Sequence, residues 1–172
     1  MRPISAAISA RALRHNLALA RQHAGPARIW AVVKANAYGH GLMRAVQALD
    51  GADGYALLEL EAAVQLREAG ISKPLLLIEG FFGTDELHVF SACGLTGVVH
   101  DLEQVRALES VRLPKPIDVY LKVNTGMNRL GVAVEDARRV LARLRACNGV
   151  NSITLMTHFA QADGPDGVAE PM

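Results

Sequence analysis

A lysine at the end of a short apolar run is the first residue in the chain that suggests chemistry. Residues 29–33 (Ile-Trp-Ala-Val-Val) are all apolar, which predicts a buried strand, and Lys34 follows them directly. An ammonium group is costly to bury without a partner, so an interior strand has no structural use for it. Lysines in such places can act as amine nucleophiles toward carbonyl compounds. Taken alone, however, a lysine at a strand end more often extends into solvent and has no chemical role.

The residues around this lysine make a more specific case. The run 31–41 reads Ala-Val-Val-Lys-Ala-Asn-Ala-Tyr-Gly-His-Gly, so a polar turn punctuated by glycines follows the strand. This run closely resembles the motif with which alanine racemases carry pyridoxal phosphate on a lysine. The resemblance implies that Lys34 is the catalytic lysine and holds the cofactor as a Schiff base. It also implies that the hydroxyl of Tyr38 binds the cofactor phosphate.

A second stretch, residues 121–131, reads Leu-Lys-Val-Asn-Thr-Gly-Met-Asn-Arg-Leu-Gly and leaves a predicted strand for a loop with two glycines. Arg129 offers a planar fork of donors that suits a carboxylate, although an isolated surface arginine more often pairs with a nearby acid. The stretch resembles a second alanine racemase motif. The resemblance implies that Arg129 contacts the phenolic oxygen of the cofactor and the substrate carboxylate, and that Lys122 is carbamylated and helps to hold Arg129. Asn124 stands where many relatives have aspartate.

The third stretch, residues 156–163, reads Met-Thr-His-Phe-Ala-Gln-Ala-Asp and follows the last predicted strand. A lone histidine at a strand end is more often a structural residue than a catalyst. The stretch nevertheless resembles the family motif Thr-His-Phe-Ala-x-Ala-Asp, and the three motifs occur in the family's order. The resemblance implies that His158 binds near the cofactor ring. No metal site is predicted, because Cys93 and Cys147 show no metal-ligand spacing.

The elements that must position these residues alternate between strands and helices. Most of the predicted strands are continuous apolar runs, which is typical of strands covered on both faces. Alternation of strands with helical patterns predicts a parallel sheet. A weaker alternating pattern at residues 4–8 suggests a further strand. Ser9 and Asp101 are predicted to cap helices, and Val134 is predicted to belong to the helical stripe before the last strand. The six stronger runs lie at about residues 28–34, 55–58, 74–78, 96–99, 117–123 and 153–156.

Two parallel architectures fit this pattern, an open doubly wound sheet and a (β/α)8 barrel. No Gly-x-Gly-x-x-Gly motif follows the first strand, which disfavours a dinucleotide-binding sheet. All three motifs follow the carboxyl ends of strands, where a barrel builds its active site, although an open sheet binds ligands there too. We therefore predict an α/β fold, an incomplete (β/α)8 TIM-type barrel of about six strand–helix units.

The length of the chain is short for such a barrel. A barrel needs at least about 200 residues, and this chain has 172. We therefore expect residues 1–172 to be the N-terminal part of an alanine racemase barrel, with the C-terminal β-domain absent and little activity of the chain alone. The resemblance implies that residues 1–10 pair with that β-domain. A last helix is predicted to begin near residues 167–172.

Composition excludes several classes of partner. The formal net charge is +1 and the basic residues are scattered, so neither a nucleic-acid surface nor a membrane-binding patch is predicted. Cys93 and Cys147 form no disulfide pattern, and the N-terminus lacks the apolar region of a signal peptide. No apolar run approaches the roughly 20 residues of a membrane helix. These features predict a cytoplasmic protein.

The resemblance implies pyridoxal-phosphate-dependent interconversion of L-alanine and D-alanine, which supplies D-alanine for peptidoglycan. In the family the second base is a tyrosine from the partner subunit, so a homodimer is implied. Two alternatives stay within pyridoxal-phosphate proteins, a non-catalytic single-barrel carrier and a broad-spectrum amino-acid racemase. The carriers lack the Tyr-Gly-His-Gly and Thr-Gly-Met-x-Arg-Leu-Gly runs found here. A third alternative is a non-catalytic α/β interaction module with an enzyme-like sequence.

Overall fold

The computed structural model describes residues 3–162 and residue 164. The chain folds as two compact units, Met1–Leu75 and Leu76–Met172. The strands are β1 (Trp30–Val32), β2 (Gly54–Leu57), β3 (Leu75–Leu77), β4 (Thr96–Val99), β5 (Ile117–Lys122) and β6 (Val150–Met156). The α-helices are α1 (Ala10–Ala24), α2 (Leu42–Ala48), α3 (Leu60–Glu68), α4 (Thr84–Cys93), α5 (Leu102–Ser110) and α6 (Ala137–Ala146), and Val134–Asp136 is a 3-10 helix.

The first unit is built on the parallel pair β1 and β2, whose register joins Trp30 to Gly54 and Val32 to Ala56. The backbone of Val33 continues this ladder, because its N–H donates to Ala56 O at 2.8 Å. This last ladder bond fixes where the chain leaves β1. The next residue is Lys34, so the end of β1 sets the position of the lysine backbone.

Helix α1 is attached to the starts of β1 and β2 through one arginine. Arg21 donates to Gly51 O at 3.1 Å and to the carboxylate of Asp53 at 2.7 Å. The same carboxylate accepts the N–H of Ile29. The hydrogen bond from Ile29 and the contact with Arg21 lower the pKa of Asp53, because both favour the charged carboxylate.

The second unit contains most of β3 and all of β4 to β6, and each neighbouring pair among these strands is parallel. Its core includes Phe81 and Phe90, whose rings pack edge to face with centroids 5.8 Å apart. Buried Gln104 joins the segment after β3 to the start of α5, because its Nε2 donates to the carbonyls of Glu79 and Phe81. Its Oε1 accepts the N–H of His100. Every polar atom of this buried amide group therefore has a partner.

Helix starts follow local chemistry in this structure. Ser9 accepts the N–H of Ala12, and Asp101 accepts the N–H of Gln104, so both predicted caps are confirmed. The cap position of α4 falls on Gly83, and Thr84 is the first residue of the helix. Val134 belongs to the 3-10 helix rather than to the predicted helical stripe, and its side chain is 53% exposed.

All six predicted strands are present, but the weaker seventh prediction is wrong. Residues 4–8 form no strand, and Ile4 is 82% exposed. A strand gains its hydrogen bonds from a neighbour, and no described strand pairs with this segment. The helix predicted near residues 167–172 lies outside the described residues. Among the residues that are described, no helix is both long and apolar enough to cross a membrane.

Candidate active site

The segment Lys34–Tyr38, here called the left-handed turn, follows directly on the end of β1. Its residues Ala35, Asn36 and Ala37 have φ of 51°, 53° and 53°, and its last residue has φ of 54°. Such values cost L-residues other than glycine about 1–2 kcal/mol each, and asparagine tolerates them best. The left-handed turn is therefore strained, and it persists only because the surrounding structure holds it.

Asn36 holds the end of the left-handed turn. Its side-chain Oδ1 accepts the N–H of Leu42 at 2.7 Å, and its carbonyl accepts the N–H of Gly41 at 3.0 Å. Leu42 is the first residue of α2 and is buried, so the turn is anchored to a packed helix. The residue type suits the place twice over, because asparagine supplies the acceptor and also tolerates positive φ.

The start of the left-handed turn is held from two sides. The N–H of Ala37 donates to Val33 O at 2.9 Å. The N–H of Ala35 donates to Oε1 of Glu59 at 3.3 Å, and Glu59 lies in the segment between β2 and α3. The first peptide nitrogen after Lys34 is therefore bonded to a side chain 24 positions away.

The left-handed turn brings two of the predicted site residues together. The Lys34 Nζ lies 6.0 Å from the centroid of the Tyr38 ring. Lys34 is half-buried, whereas Tyr38 is 61% exposed. In the part of the chain that the structure describes, Lys34 takes part in no ion pair. An amine without a carboxylate partner keeps its lone pair available once it loses a proton.

In the second unit, Lys122 ends β5 and is 3% exposed. Burial lowers the pKa of its amine, and the positive charge of Arg129 lowers it further. Within residues 3–162, no carboxylate forms an ion pair with Lys122. The positive charges of Lys122 and Arg129 therefore repel each other. Among the described residues, no ion pair with an acidic side chain offsets the cost of burying the Lys122 ammonium.

Arg129 lies in a loop that closes on its own first residue. The N–H of Asn124 donates to Val132 O, and the N–H of Val132 donates to Lys122 O, both at 2.9 Å. Gly131 has φ of 128°, and a Cβ there would lie 2.6 Å from the nitrogen of Asn124. Only glycine permits this closure, because a side chain would meet backbone atoms.

The side chain of Asn124 fills the inside of this loop. Its Oδ1 accepts the N–H groups of Gly126 and Asn128 at 3.1 Å and 3.0 Å. Its Nδ2 donates to Oδ1 of Asn128 at 2.9 Å. Asn128, with φ of 55°, directly precedes Arg129. Aspartate, which the resemblance implies for many relatives, could accept the same two backbone bonds but lacks the donor.

The loop is also joined to the segment after β6. The hydroxyls of Thr125 and Thr157 are hydrogen-bonded, and Thr157 donates to Val123 O at 3.3 Å. His158 follows Thr157 and is exposed. The ends of β5 and β6 are therefore held together at the segment that carries His158. Asp163, the last residue of the third motif, lies outside the described residues.

The structure thus places the predicted residues in two groups. Lys34 and Tyr38 are adjacent in Met1–Leu75, and Lys122, Arg129 and His158 follow or end strands in Leu76–Met172. Glu59 is not among the site residues predicted from the sequence. No local signal marks it, because its contact with Ala35 depends on the pairing of β1 with β2.

The available groups fit pyridoxal phosphate chemically. Lys34 supplies an amine for the aldehyde, and the neighbouring phenol of Tyr38 supplies a donor for a phosphate. Among residues 3–162 and 164, no set of three His, Cys, Asp or Glu side chains could hold a metal ion.

The similarity of the chain to known proteins decides its family. A family profile described as "Alanine racemase, N-terminal domain" matches residues 8–172. The chain belongs to the alanine racemase family. An alanine racemase of Burkholderia mallei (strain SAVP1) is 54% identical over 171 residues, which are 99% of this chain and 48% of that protein. A catabolic alanine racemase of Salmonella typhimurium is 48% identical, with the same shares.

A solved alanine racemase also matches the fold. The biosynthetic alanine racemase of Pseudomonas aeruginosa gives a TM-score of 0.91 at 42% identity, covering 97% of this chain and 48% of that one. The predicted fold, six parallel strands with helices of an incomplete (β/α)8 barrel, is confirmed by this likeness. The chain spans about half the length of the curated relatives it matches.

Proposed function

We propose that this chain is the part of an alanine racemase that holds pyridoxal phosphate on Lys34, in an enzyme that interconverts L-alanine and D-alanine. The observation that carries the proposal is the half-buried amine of Lys34, which has no ion-pair partner among the described residues. It is presented by a strained turn together with a phenol 6.0 Å away. Strain of this kind concentrates at ligand sites.

The proposed residues divide the work of binding and proton transfer among them. When bound, pyridoxal phosphate would supply an electron sink for the pair that remains on the α-carbon after an amino acid loses its α-proton. Lys34 Nζ would hold the cofactor covalently, and the same amine would exchange the α-proton on one face. The hydroxyl of Tyr38 would donate to the phosphate. Arg129 would donate to the substrate carboxylate and to the phenolic oxygen, and His158 would lie near the ring.

Racemisation needs a proton removed on one face and delivered on the other, so a second acid or base is required. We propose that a homodimer supplies it from the partner subunit. We also propose that residues 1–10 pair with a C-terminal β-domain of the whole enzyme. The enzyme would act in the cytoplasm and supply D-alanine for peptidoglycan. The carrier alternative is not favoured, because the chain matches racemases over nearly its whole length.

We propose that Lys122 is carbamylated. Its neutral amine would attack the carbon of carbon dioxide. An N–C bond would form as the electron pair of one C=O π bond moves to oxygen, and one amine proton would pass to solvent. Burial and Arg129 lower the pKa of Lys122, so more of the amine is neutral than at an exposed lysine. The product is an anion, which would replace the repulsion between Lys122 and Arg129 by attraction.

The proposed function is tested by adding pyridoxal phosphate to the purified chain. We expect visible absorbance to appear and borohydride to fix the label in a stable form. Peptide mapping should then find the label on Lys34. A folded sample that gains no label, or that carries it on another lysine, would contradict the proposal.

If Lys122 is unmodified, the free energy of unfolding of the protein should change with pH in the alkaline range. Its pKa is lower in the folded than in the unfolded state, so between the folded-state pKa and about 10.4 the unfolded state binds more protons and stability rises with pH. The variant Lys122→Met should lack this rise and, in buffer free of carbon dioxide, be about 1 kcal/mol more stable at neutral pH. Urea unfolding at neutral pH and near pH 10 measures both effects.

The matched control for Lys122 is Lys115→Met, because the side chain of Lys115 is exposed. This control should change the free energy of unfolding by less than about 0.5 kcal/mol at either pH. If Lys122→Met kept the rise in stability at alkaline pH, the buried amine would not be the cause of that rise. If Lys122→Met lost stability at neutral pH, the buried amine would not be destabilising.

A further inference from the structure

Glu59 makes a contact that its position in the fold does not require. It occupies the N-cap position of α3, yet its side chain does not cap that helix. Its Oε1 instead accepts the N–H of Ala35, the residue that follows Lys34. A capping carboxylate would ordinarily satisfy free N–H groups of its own helix, and this one is directed to another element.

The contact acts where the left-handed turn starts. Ala35 has φ of 51°, so its peptide plane is rotated away from the direction that an ordinary strand or right-handed helix would give. At the other end the turn is held by Asn36, which binds Leu42 N. At its start, the N–H of Ala35 follows the lysine directly. Among the described residues, Glu59 is the one side chain that accepts a hydrogen bond from it.

The strand pairing explains why Glu59 can reach this N–H. β1 and β2 are parallel and in register, and Val33 N donates to Ala56 O. Glu59 follows Ala56 by three residues, just as Ala35 follows Val32, the partner of Ala56, by three. Both segments therefore leave neighbouring strands at the same level.

We propose that Glu59 is a positioning residue for Lys34, which fixes the left-handed turn through the N–H of Ala35 and so sets the direction of the lysine amine. The inference rests on the proposed function, because it is attachment of pyridoxal phosphate that the position of Lys34 serves. Glu59 acts by accepting a hydrogen bond, and its charge is not required for this role.

If Glu59 acts as a hydrogen-bond acceptor, two substitutions of Glu59 should have different effects. Glu59→Ala removes the acceptor, whereas Glu59→Gln keeps an oxygen that can accept from Ala35 N and removes only the charge. Glu61→Ala is the matched control, because Glu61 is an exposed acid two residues away in the first turn of α3. All four proteins are compared as the full chain.

Two measurements are made on these proteins. The first is the dissociation constant for pyridoxal phosphate, from titration of the visible absorbance, with borohydride mapping of the label to Lys34. The second is hydrogen exchange of the Ala35 amide without cofactor. For Glu59→Ala we expect affinity about tenfold weaker and exchange about tenfold faster. Glu59→Gln should stay within about threefold of the unsubstituted chain in both, and Glu61→Ala should match it.

The outcomes separate this inference from the proposed function. If Glu59→Ala binds the cofactor and exchanges its Ala35 amide like the unsubstituted chain, the inference is overturned while the labelling of Lys34 stands. If Glu59→Gln is as impaired as Glu59→Ala, the inference is also overturned, because charge rather than hydrogen bonding would matter. If the unsubstituted chain is not labelled at Lys34, the proposed function fails, and amide exchange alone still decides whether Glu59 holds the turn.

Discussion

Replacing Lys34 by alanine is expected to lower borohydride-stable labelling by pyridoxal phosphate roughly 100-fold or more, because covalent attachment needs the Nζ atom. Lys34 forms no ion pair among the described residues, and its Nζ lies 6.0 Å from the centroid of the Tyr38 ring. Lys34 is half-buried, so urea unfolding of the variant checks that it is folded. Labelling is measured by mass spectrometry of the reduced, digested protein.

Two further variants make this result specific to the amine of Lys34. Lys34→Arg keeps the positive charge but supplies no amine that bonds stably to an aldehyde, so labelling should fall as far as in Lys34→Ala. Lys115→Arg changes an exposed lysine in the same way and should leave labelling of Lys34 unchanged. Persistent labelling of Lys34→Ala at the level of the unsubstituted chain would show that another amine is the reactive one.

Gly80→Ala should be among the most destabilising substitutions in the described part of the chain. Gly80 follows β3 with φ of 79°, and a Cβ there would lie 2.0 Å from the carbonyl oxygen of Val98 and 2.6 Å from Nε2 of Gln104. The backbone oxygen cannot move without disturbing β4, so we expect a loss of about 3 kcal/mol or more. The free energy of unfolding, measured in urea, tests this.

Gly94→Ala separates steric overlap from the cost of positive φ. Gly94 has φ of 58°, but a Cβ there would meet no atom within 4 Å. Only the left-handed conformation is then penalised, by about 1 kcal/mol. Equal losses for Gly80→Ala and Gly94→Ala would mean that the close approach of Val98 is relieved by a shift of the chain.

The strands and the helix caps could be predicted because they depend on local sequence. Continuous apolar runs mark all six strands, and Ser9 and Asp101 have short side chains that reach an N–H three residues ahead. The prediction for residues 4–8 failed, because a pattern of alternating residues cannot supply the neighbouring strand that pairing needs. Thr84 is a suitable cap by type, but Gly83 takes that position in the chain.

The motifs located the candidate site but not its geometry. The run around Lys34 identified the lysine, yet no propensity of alanine or tyrosine predicts four successive residues with positive φ. That conformation is held by tertiary contacts such as the bond from Ala35 to Glu59. The burial of Lys122 could not be predicted from the sequence either, because it depends on packing around β5.

The handedness of the turn after Lys34 has a consequence for synthetic variants of the protein. Residues of D configuration favour positive φ for the same steric reason that L-residues avoid it. D-alanine at positions 35 and 37 would therefore remove the backbone strain that L-alanine has there at positive φ. At positions 35 and 37, a protein proposed to make D-alanine would therefore hold D-alanine with less backbone strain than the L-alanine it contains.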